Sequence, residues 1–292
     1  MVQQIDRRQL LRETDDILRD AQVSPRRFFT LFLVLDGLMR LANYFANLNS
    51  GQTVSFSNPV GLFVTILVNL LSLVLGAGCI LYCLGIRRGE RVEYLTLFDG
   101  FSFVGRVILL YLTEYMFLFL WSLPASLFGS TLLIFYGNDM LLSSFLMPLL
   151  LVPPVMALYR YRFAIYNLCQ RPDMSPMEAI RLSKRQTFGC KGHLLLLDLR
   201  FAGWMVLSYL PSIAVLGLNF MAMLGRSVPD INEPVSLTLQ LLFPILIGVL
   251  YLPRHHTAIA GCYEAVMANT GVRPDRPGRP GWDHGPDNLG GY

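Results

Sequence analysis

The sequence predicts an all-α protein: a six-transmembrane-helix bundle with cytosolic amphipathic helices and a disordered C-terminal tail. Three observations predict it. Six long apolar runs, Phe28–Leu48, Pro59–Ile86, Val107–Phe128, Leu141–Leu158, Phe201–Leu224 and Val235–Leu252, are separated by polar connections. A bilayer core of about 30 Å is crossed by about 20 helical residues, and inside it only helices or closed barrels keep every backbone N–H and C=O paired. Mean hydropathy is +0.47, and 53% hydrophobic against 15% charged residues over 292 positions is too apolar for a water-exposed surface. Finally, Lys and Arg collect in every second connection.

That alternation sets the topology. The first 27 residues carry Arg7, Arg8, Arg12, Arg19, Arg26 and Arg27, whereas Asn49–Asn58 carries neither Lys nor Arg. Arg87–Arg106 is basic again, Gly129–Met140 is not, Tyr159–Arg200 is the richest, Gly225–Pro234 has Arg226 alone, and the tail has Arg254, Arg273, Arg276 and Arg279. Basic loops stay on the cytoplasmic side, so both termini are expected in the cytoplasm. No cleavable leader is visible, because the charged start is long and no small-residue cleavage site follows the first apolar run. None of the five cysteines lies in an outward loop, so no disulfide framework is expected. Cys79 and Cys83, one helical turn apart, read as small packing residues.

Residues 1–27 are expected to hold a cytosolic amphipathic helix. Leu10, Leu11, Thr14, Ile17, Leu18 and Ala21 form one stripe at 3.6-residue spacing, with Arg12–Asp16 and Asp15–Arg19 as i, i+4 pairs opposite. Ser24-Pro25 is a start signal for the first span. The membrane domain is expected over 28–269. Asp36 and Arg40 fall in its first span four residues apart, where they can pair. Pro148, Pro153 and Pro154 predict a kinked fourth span, since proline removes a backbone donor. Within the fourth-to-fifth connection, Ser175-Pro176-Met177-Glu178 is a capping box opening a helix over 176–188, and Gly189 is its stop. Residues 270–292, rich in Gly and Pro, are expected to be disordered.

Several segments resemble a known family. Tyr159-Arg160-Tyr161-Arg162-Phe163-Ala164-Ile165-Tyr166, Pro172, Ser175-Pro176-Met177-Glu178-Ala179-Ile180 with Ser183, and Gly189 with Lys191 carry the likeness. So do Leu197-Asp198-Leu199-Arg200-Phe201-Ala202-Gly203-Trp204, Leu252-Pro253, Thr257, Ala258, Tyr263 and Glu264, with Leu97–Phe101 and Leu120-Trp121 as earlier landmarks. Together they resemble the domain of unknown function 975 family of bacterial polytopic membrane proteins, over about Glu90–Val266. The resemblance implies an inner-membrane protein with both ends in the cytoplasm, and no activity. Arg254 stands where the family pattern has Tyr, and Arg200 where it has Ser.

Candidate sites are few. Glu114 sits in the third span, where a carboxylate costs about 2.5–3.5 kcal/mol on insertion scales. It reads either as a protonatable group on a solute or ion path or as a hydrogen-bonded lock between helices, and the sequence favours the lock. Asn69 and Pro153 complete this candidate intramembrane polar site, with Asn69 expected to bond a neighbouring helix. Asp198 and Arg200 are expected at the cytosolic boundary, facing different ways. Arg181, Lys184, Arg185 and Lys191 form a candidate cytosolic contact for anionic lipid headgroups or a protein partner. His193, His255, His256, Cys190, Cys262 and Glu264 match no metal-ligand spacing, and no nucleophile–base pair, Walker or dinucleotide fingerprint is present. The expected partners are the lipid bilayer and an unknown protein at the cytosolic face, with no nucleic acid, cofactor or metal. The expectation is a non-enzymatic accessory or scaffold component, with a small-solute, ion or lipid transporter using Glu114 near the kinked fourth span as the alternative.

The topology has a direct check. A Ser55→Cys variant should react with a membrane-impermeant maleimide on intact cells, whereas Asp275→Cys should react only after lysis. Shielding of residue 55 in intact cells would refute the assigned orientation.

Overall fold

The computed structural model describes residues 7–48, 58–136, 152–223 and 233–270, and these are helices and short turns with no strand among them. In order they are α1 (Arg7–Asp20), α2 (Pro25–Asn47), α3 (Pro59–Arg87), a 3₁₀ helix (Tyr94–Phe103), α4 (Val104–Tyr136) and α5 (Val152–Tyr161). Then follow α6 (Ala164–Gln170), α7 (Pro176–Gln186), α8 (Lys191–Ser208), α9 (Leu210–Met223) and α10 (Glu233–Thr270).

Four stretches are long and apolar enough to cross a membrane: Pro25–Asn47, Pro59–Arg87, Tyr94–Thr131 and Pro234–Asn269. A fifth is added if α8 and α9, bent by 64° at Tyr209, count as one span. The architecture is therefore consistent with a multi-pass membrane protein of four or five such spans among the described residues. The fourth apolar run and its expected kink fall largely on 137–151, outside those residues, as do most of the Asn49–Asn58 loop and the tail beyond Thr270. The described part of that run, Val152–Tyr161, is helical and includes Pro153 and Pro154.

Three boundaries differ from the sequence expectation. The fifth run is not one straight helix. Pro211 cannot donate a backbone hydrogen bond, and its ring crowds the carbonyl four residues back, so the chain breaks at Tyr209 and restarts at Leu210. The connection after α3 is shorter than expected because Tyr94–Phe103 winds as a 3₁₀ helix leading straight into α4. With three residues per turn, Leu97 and Gly100 stack along one face, both buried against α3. The last helix does not end near Leu252 but runs on to Thr270, accommodating Pro244 and Pro253.

The interior is concentrated at one end of the molecule, here called the base. Its buried side chains include Leu10 and Leu11 of α1, Phe28 and Phe29 of α2, Cys79–Ile86 of α3, Val107 and Leu110 of α4, Phe163–Cys169 and Ala258–Tyr263. Phe28 stacks on Tyr82 with ring centroids 3.8 Å apart, and the Tyr82 hydroxyl donates to the Val23 carbonyl at 2.8 Å. Away from the base the same helices present large apolar side chains outward: Val60, Phe63 and Ile66 of α3, Leu112, Phe119 and Phe128 of α4, and Leu239, Leu242 and Leu246 of α10. Cys79 and Cys83 are buried and free, as their packing reading expects.

α1 packs on the protein, chiefly along α10, with Leu10, Leu11 and Thr14 buried. Thr14 satisfies its hydroxyl on the Leu10 carbonyl at 2.7 Å. The expected Asp15–Arg19 pair does not hold, because Asp15 instead takes Arg254 of α10 at 2.6 Å. That cross-helix pairing fixes where α1 lies.

α3 and the 3₁₀ helix touch backbone to backbone. A Cβ on Gly78 would collide with the Leu97 carbonyl, and one on Gly100 would lie 2.6 Å from the Val74 carbonyl. Small residues allow such approaches, and close contact is a main source of helix association in lipid. Gly78→Val should therefore lower the thermal unfolding midpoint of detergent-solubilised protein, by a loss of about 1–3 kcal/mol or more. Gly76→Ala, in the same helix with open space around it, should be neutral or stabilising. Equal midpoints for the two variants would refute the backbone contact.

Candidate functional site

The base holds the chain's densest assembly of polar chemistry, and its centre is Asp198 on α8. Oδ2 accepts from the Tyr159 hydroxyl at 2.8 Å and from Arg162 Nη1 at 2.5 Å. Oδ1 accepts from Arg162 Nη2 at 3.0 Å and from His255 Nε2 at 2.9 Å. A carboxylate offers about four lone-pair sites, and all are occupied. Three elements converge here: the end of α5 with the turn after it, α8, and α10. The Arg162 fork is bidentate, the strongest geometry available to this pair. Burial, and then the hydrogen bond to Asp198, push the Tyr159 hydroxyl up to about 12, so it stays protonated and donating near neutral pH. Because the carboxylate only accepts, His255 carries its proton on Nε2; its ring also packs edge-on to Phe201 at 5.2 Å.

A second cluster is built from amides. Asn167 of α6 and Gln186 of α7 exchange two hydrogen bonds at 3.0 Å each. The Tyr263 hydroxyl of α10 donates to the same Asn167 oxygen at 2.9 Å. Ser183 donates to the Arg160 carbonyl at 2.9 Å and accepts from the Phe163 amide at 3.2 Å, which locks α7 onto the α5–α6 turn. α7 itself begins as the capping box predicts, with Ser175 accepting from the Glu178 amide, and Gly189 past its end has φ 84°. A third contact joins α3 to α10 through Arg87 Nε and Glu264 Oε2 at 2.7 Å. The guanidinium crosses α10 at Gly261, where a Cβ would sit 2.7 Å from Nη1.

The expected site residues are not gathered into one place. Asn69 is exposed and donates to the Thr65 carbonyl of its own helix at 2.7 Å, not to a neighbouring helix. The amide reaches back one turn because the helix surface offers it nothing nearer. Glu114 is half-buried on α4 and makes no hydrogen bond or ion pair among the described residues, and Pro153 is exposed on α5. No hydrogen bond, ion pair or ring contact joins the three among the described residues. On α7, Arg181 and Arg185 are exposed. Lys184 is turned inward, its ammonium 5.2 Å from the Phe117 ring and 5.6 Å from the Tyr161 ring, while Lys191 opens α8. Asp36 and Arg40 pair at 2.6 Å as expected, and Asp36 also accepts from Ser72 of α3 at 2.9 Å. Among the described residues no three His, Cys, Asp or Glu side chains are grouped to hold a metal.

Sequence reasoning placed Asp198 only at a boundary and overlooked its partners. The signal available was the tyrosine- and arginine-rich run Tyr159–Arg162 followed by a lone acid at the start of an apolar run.

Residues 5–266 match the model of the family described as Protein of unknown function (DUF975). This chain belongs to that family. The match reaches well before Glu90, so α1, α2 and α3 belong to the shared unit as much as the later helices. No curated protein and no solved structure is similar to the chain. Within the matched range, Tyr159, Arg162, Phe163, Tyr166, Ser183, Asp198, Thr257, Tyr263 and Glu264 are partners in the base's hydrogen bonds, ion pairs and ring contacts.

Asp198→Ala should remove an acceptor from a half-buried Arg162 and lower stability toward the low end of the about 3–5 kcal/mol seen when one partner of a buried pair is deleted. Thermal unfolding of Asp198→Ala, Arg162→Ala and the double variant measures the coupling. Strict additivity of the two losses would show that the pair is not coupled.

Proposed function

We propose that this DUF975 chain is a six-span, non-enzymatic component of the bacterial cell (inner) membrane, with both termini in the cytoplasm. It acts as an accessory or scaffold protein whose working surface is the base. One observation supports this above others: Asp198 and the Asn167–Gln186–Tyr263 cluster are consumed in structural contacts, while the basic edge of α7, Arg181 and Arg185, stays exposed. Asp198 has no lone pair left for a metal or a migrating proton, and the Asn167–Gln186–Tyr263 cluster is likewise closed. An exposed basic edge on a rigid, cytoplasm-facing platform suits contact with an acidic protein surface or with anionic headgroups, at about 1 kcal/mol per cation near a membrane.

A transporter remains the second reading because of one feature. The 64° break between α8 and α9 is a discontinuous apolar segment, and broken helices build substrate sites in many transporters. Under that reading Glu114 is the protonatable group.

The two readings separate in cells. A photo-crosslinker at Arg181 or Arg185 should capture a discrete protein, whereas one at Leu216, on the apolar surface, should not. Glu114→Gln should leave both the adduct and growth unchanged. No adduct at either α7 position beyond the Leu216 background, or a growth defect from Glu114→Gln at normal protein level, would refute the scaffold reading.

A further inference from the structure

A cavity of about 240 Å³ opens at the base, where α1 lies against α8 and α10, and it is lined by Arg8, Leu11, Arg12, Asp15, Arg200 and Arg254. On α1 the lining residues fall at positions 8, 11, 12 and 15, a spacing of i, i+3, i+4 and i+7 that puts them on one helix face. Arg200 reaches it from α8 and Arg254 from α10. Arg12, Arg200 and Arg254 thus bring three guanidinium groups to Asp15, the one carboxylate among the described lining residues. Asp15 is committed to Arg254 Nη2 at 2.6 Å, and Arg254 Nε is shut off from water without an acceptor among the described residues. Arg12 and Arg200 are exposed and stand in no ion pair among the described residues.

Like charges brought together around a concave space repel one another unless an anion enters. Arginine's planar fork suits phosphate oxygens, which it can take in pairs. The volume is about eight times the ~30 Å³ that a water molecule occupies in the liquid, enough for a phosphate group with part of what it is esterified to. The position matters too. Arg200 and Arg254 of its lining stand on the two helices that carry the apolar runs of 201–224 and 235–252, near the ends of those runs, the level at which phospholipid phosphates sit if these runs are in a bilayer.

We propose that this cavity binds a phosphate-bearing anion, supplied by the headgroup of an anionic phospholipid in the leaflet at the base, and so couples the seating of α1 to lipid composition. The proposal rests on the base lying at a membrane surface and not on the scaffold role. A chain that failed to capture any protein through α7 would still show it.

The test uses the full-length protein in a neutral detergent, titrated with phosphatidylglycerol, phosphatidylcholine or inorganic phosphate, with bound ligand counted by native mass spectrometry. Phosphatidylglycerol should bind and phosphatidylcholine should not. Arg12→Gln combined with Arg200→Gln should weaken phosphatidylglycerol about thirtyfold, taking about 1 kcal/mol per cation. Arg181→Gln with Arg185→Gln, on the exposed edge of α7, should change it less than about threefold. Inorganic phosphate that displaces the lipid, with the same dependence on Arg12 and Arg200, would name a soluble phosphate as a ligand of the same site. Failure to displace it would assign the site to the headgroup. Equal binding of the two lipids, or an equal loss from the α7 pair, would overturn the proposal.

Discussion

An apolar helix surface gains little by leaving lipid for another apolar helix, because hydrocarbon is as good a solvent for leucine as leucine is. A chain whose helices carry Leu, Phe and Val on their outward faces, as α3, α4 and α10 do, must therefore be held together by something else. Two resources remain: close backbone approach and polar contacts. This structure concentrates both. Gly78 and Gly100 bring α3 and the 3₁₀ helix into backbone contact. Gly248 admits the Leu33 side chain where α2 crosses α10, its Cβ position lying 2.8 Å from a Leu33 methyl. The polar contacts lie mostly at the base, with Asp36–Ser72 and the Asn43–Thr65–Asn47 cluster joining α2 to α3 farther along.

The base then works as a small water-type core grafted onto spanning helices. Its aromatic side chains Phe28, Tyr82, Phe163 and Tyr263 are buried as they would be in a soluble domain, where burial of a large apolar side chain contributes about 1.5–3 kcal/mol. Within that core Arg162 forks onto Asp198, and the Asn167 and Gln186 amides face one another. Asp198 ties α8 to the α5–α6 turn and to α10, and Glu264 ties α10 to α3. α10 is the common member: it meets α1 through Arg254, α3 through Glu264, the α6–α7 unit through Tyr263 and α8 through His255. Its continuation to Thr270 is what makes those meetings available. A helix stopping at Leu252 would have left α1 and the α6–α7 unit without their shared wall.

Much of this was legible in sequence. Hydropathy marked the whole of α3 and the apolar lengths of α4 and α10, and start signals marked α2 at Ser24-Pro25 and the helix at Pro176. The amphipathic stripe of α1 was legible as well, because a period of 3.6 needs no tertiary context. What escaped was whatever depends on a partner far along the chain. Asp15 has a residue of opposite charge four positions away, yet pairs with Arg254, since a cross-helix contact adds a constraint that a solvated i, i+4 pair does not. Asp198 looked like a boundary charge because its three partners lie on segments that only the fold brings together. Asn69 misled in the opposite direction, as a polar side chain in an apolar run can satisfy itself on its own helix. The 3₁₀ helix was hidden because it lies in the polar connection after the second apolar run, and Pro253 disguised the continuation of α10.

The Asp198 cluster and the arginine-lined cavity fall on different parts of the base, and the division has a physical reason. Tyr159, Arg162, Asp198, Tyr263 and Glu264 are fixed by mutual geometry: each oxygen is placed for a particular donor, so replacing one strands another. Such residues describe how the base is built. Arg254 belongs with them, since its pairing with Asp15 holds α1 against α10. Arg12 and Arg200 strand nothing when replaced, because among the described residues they hold no ion pair. Their charge at the cavity adds repulsion to the fold, and an anion drawn from outside the chain, as proposed above, is what would offset it.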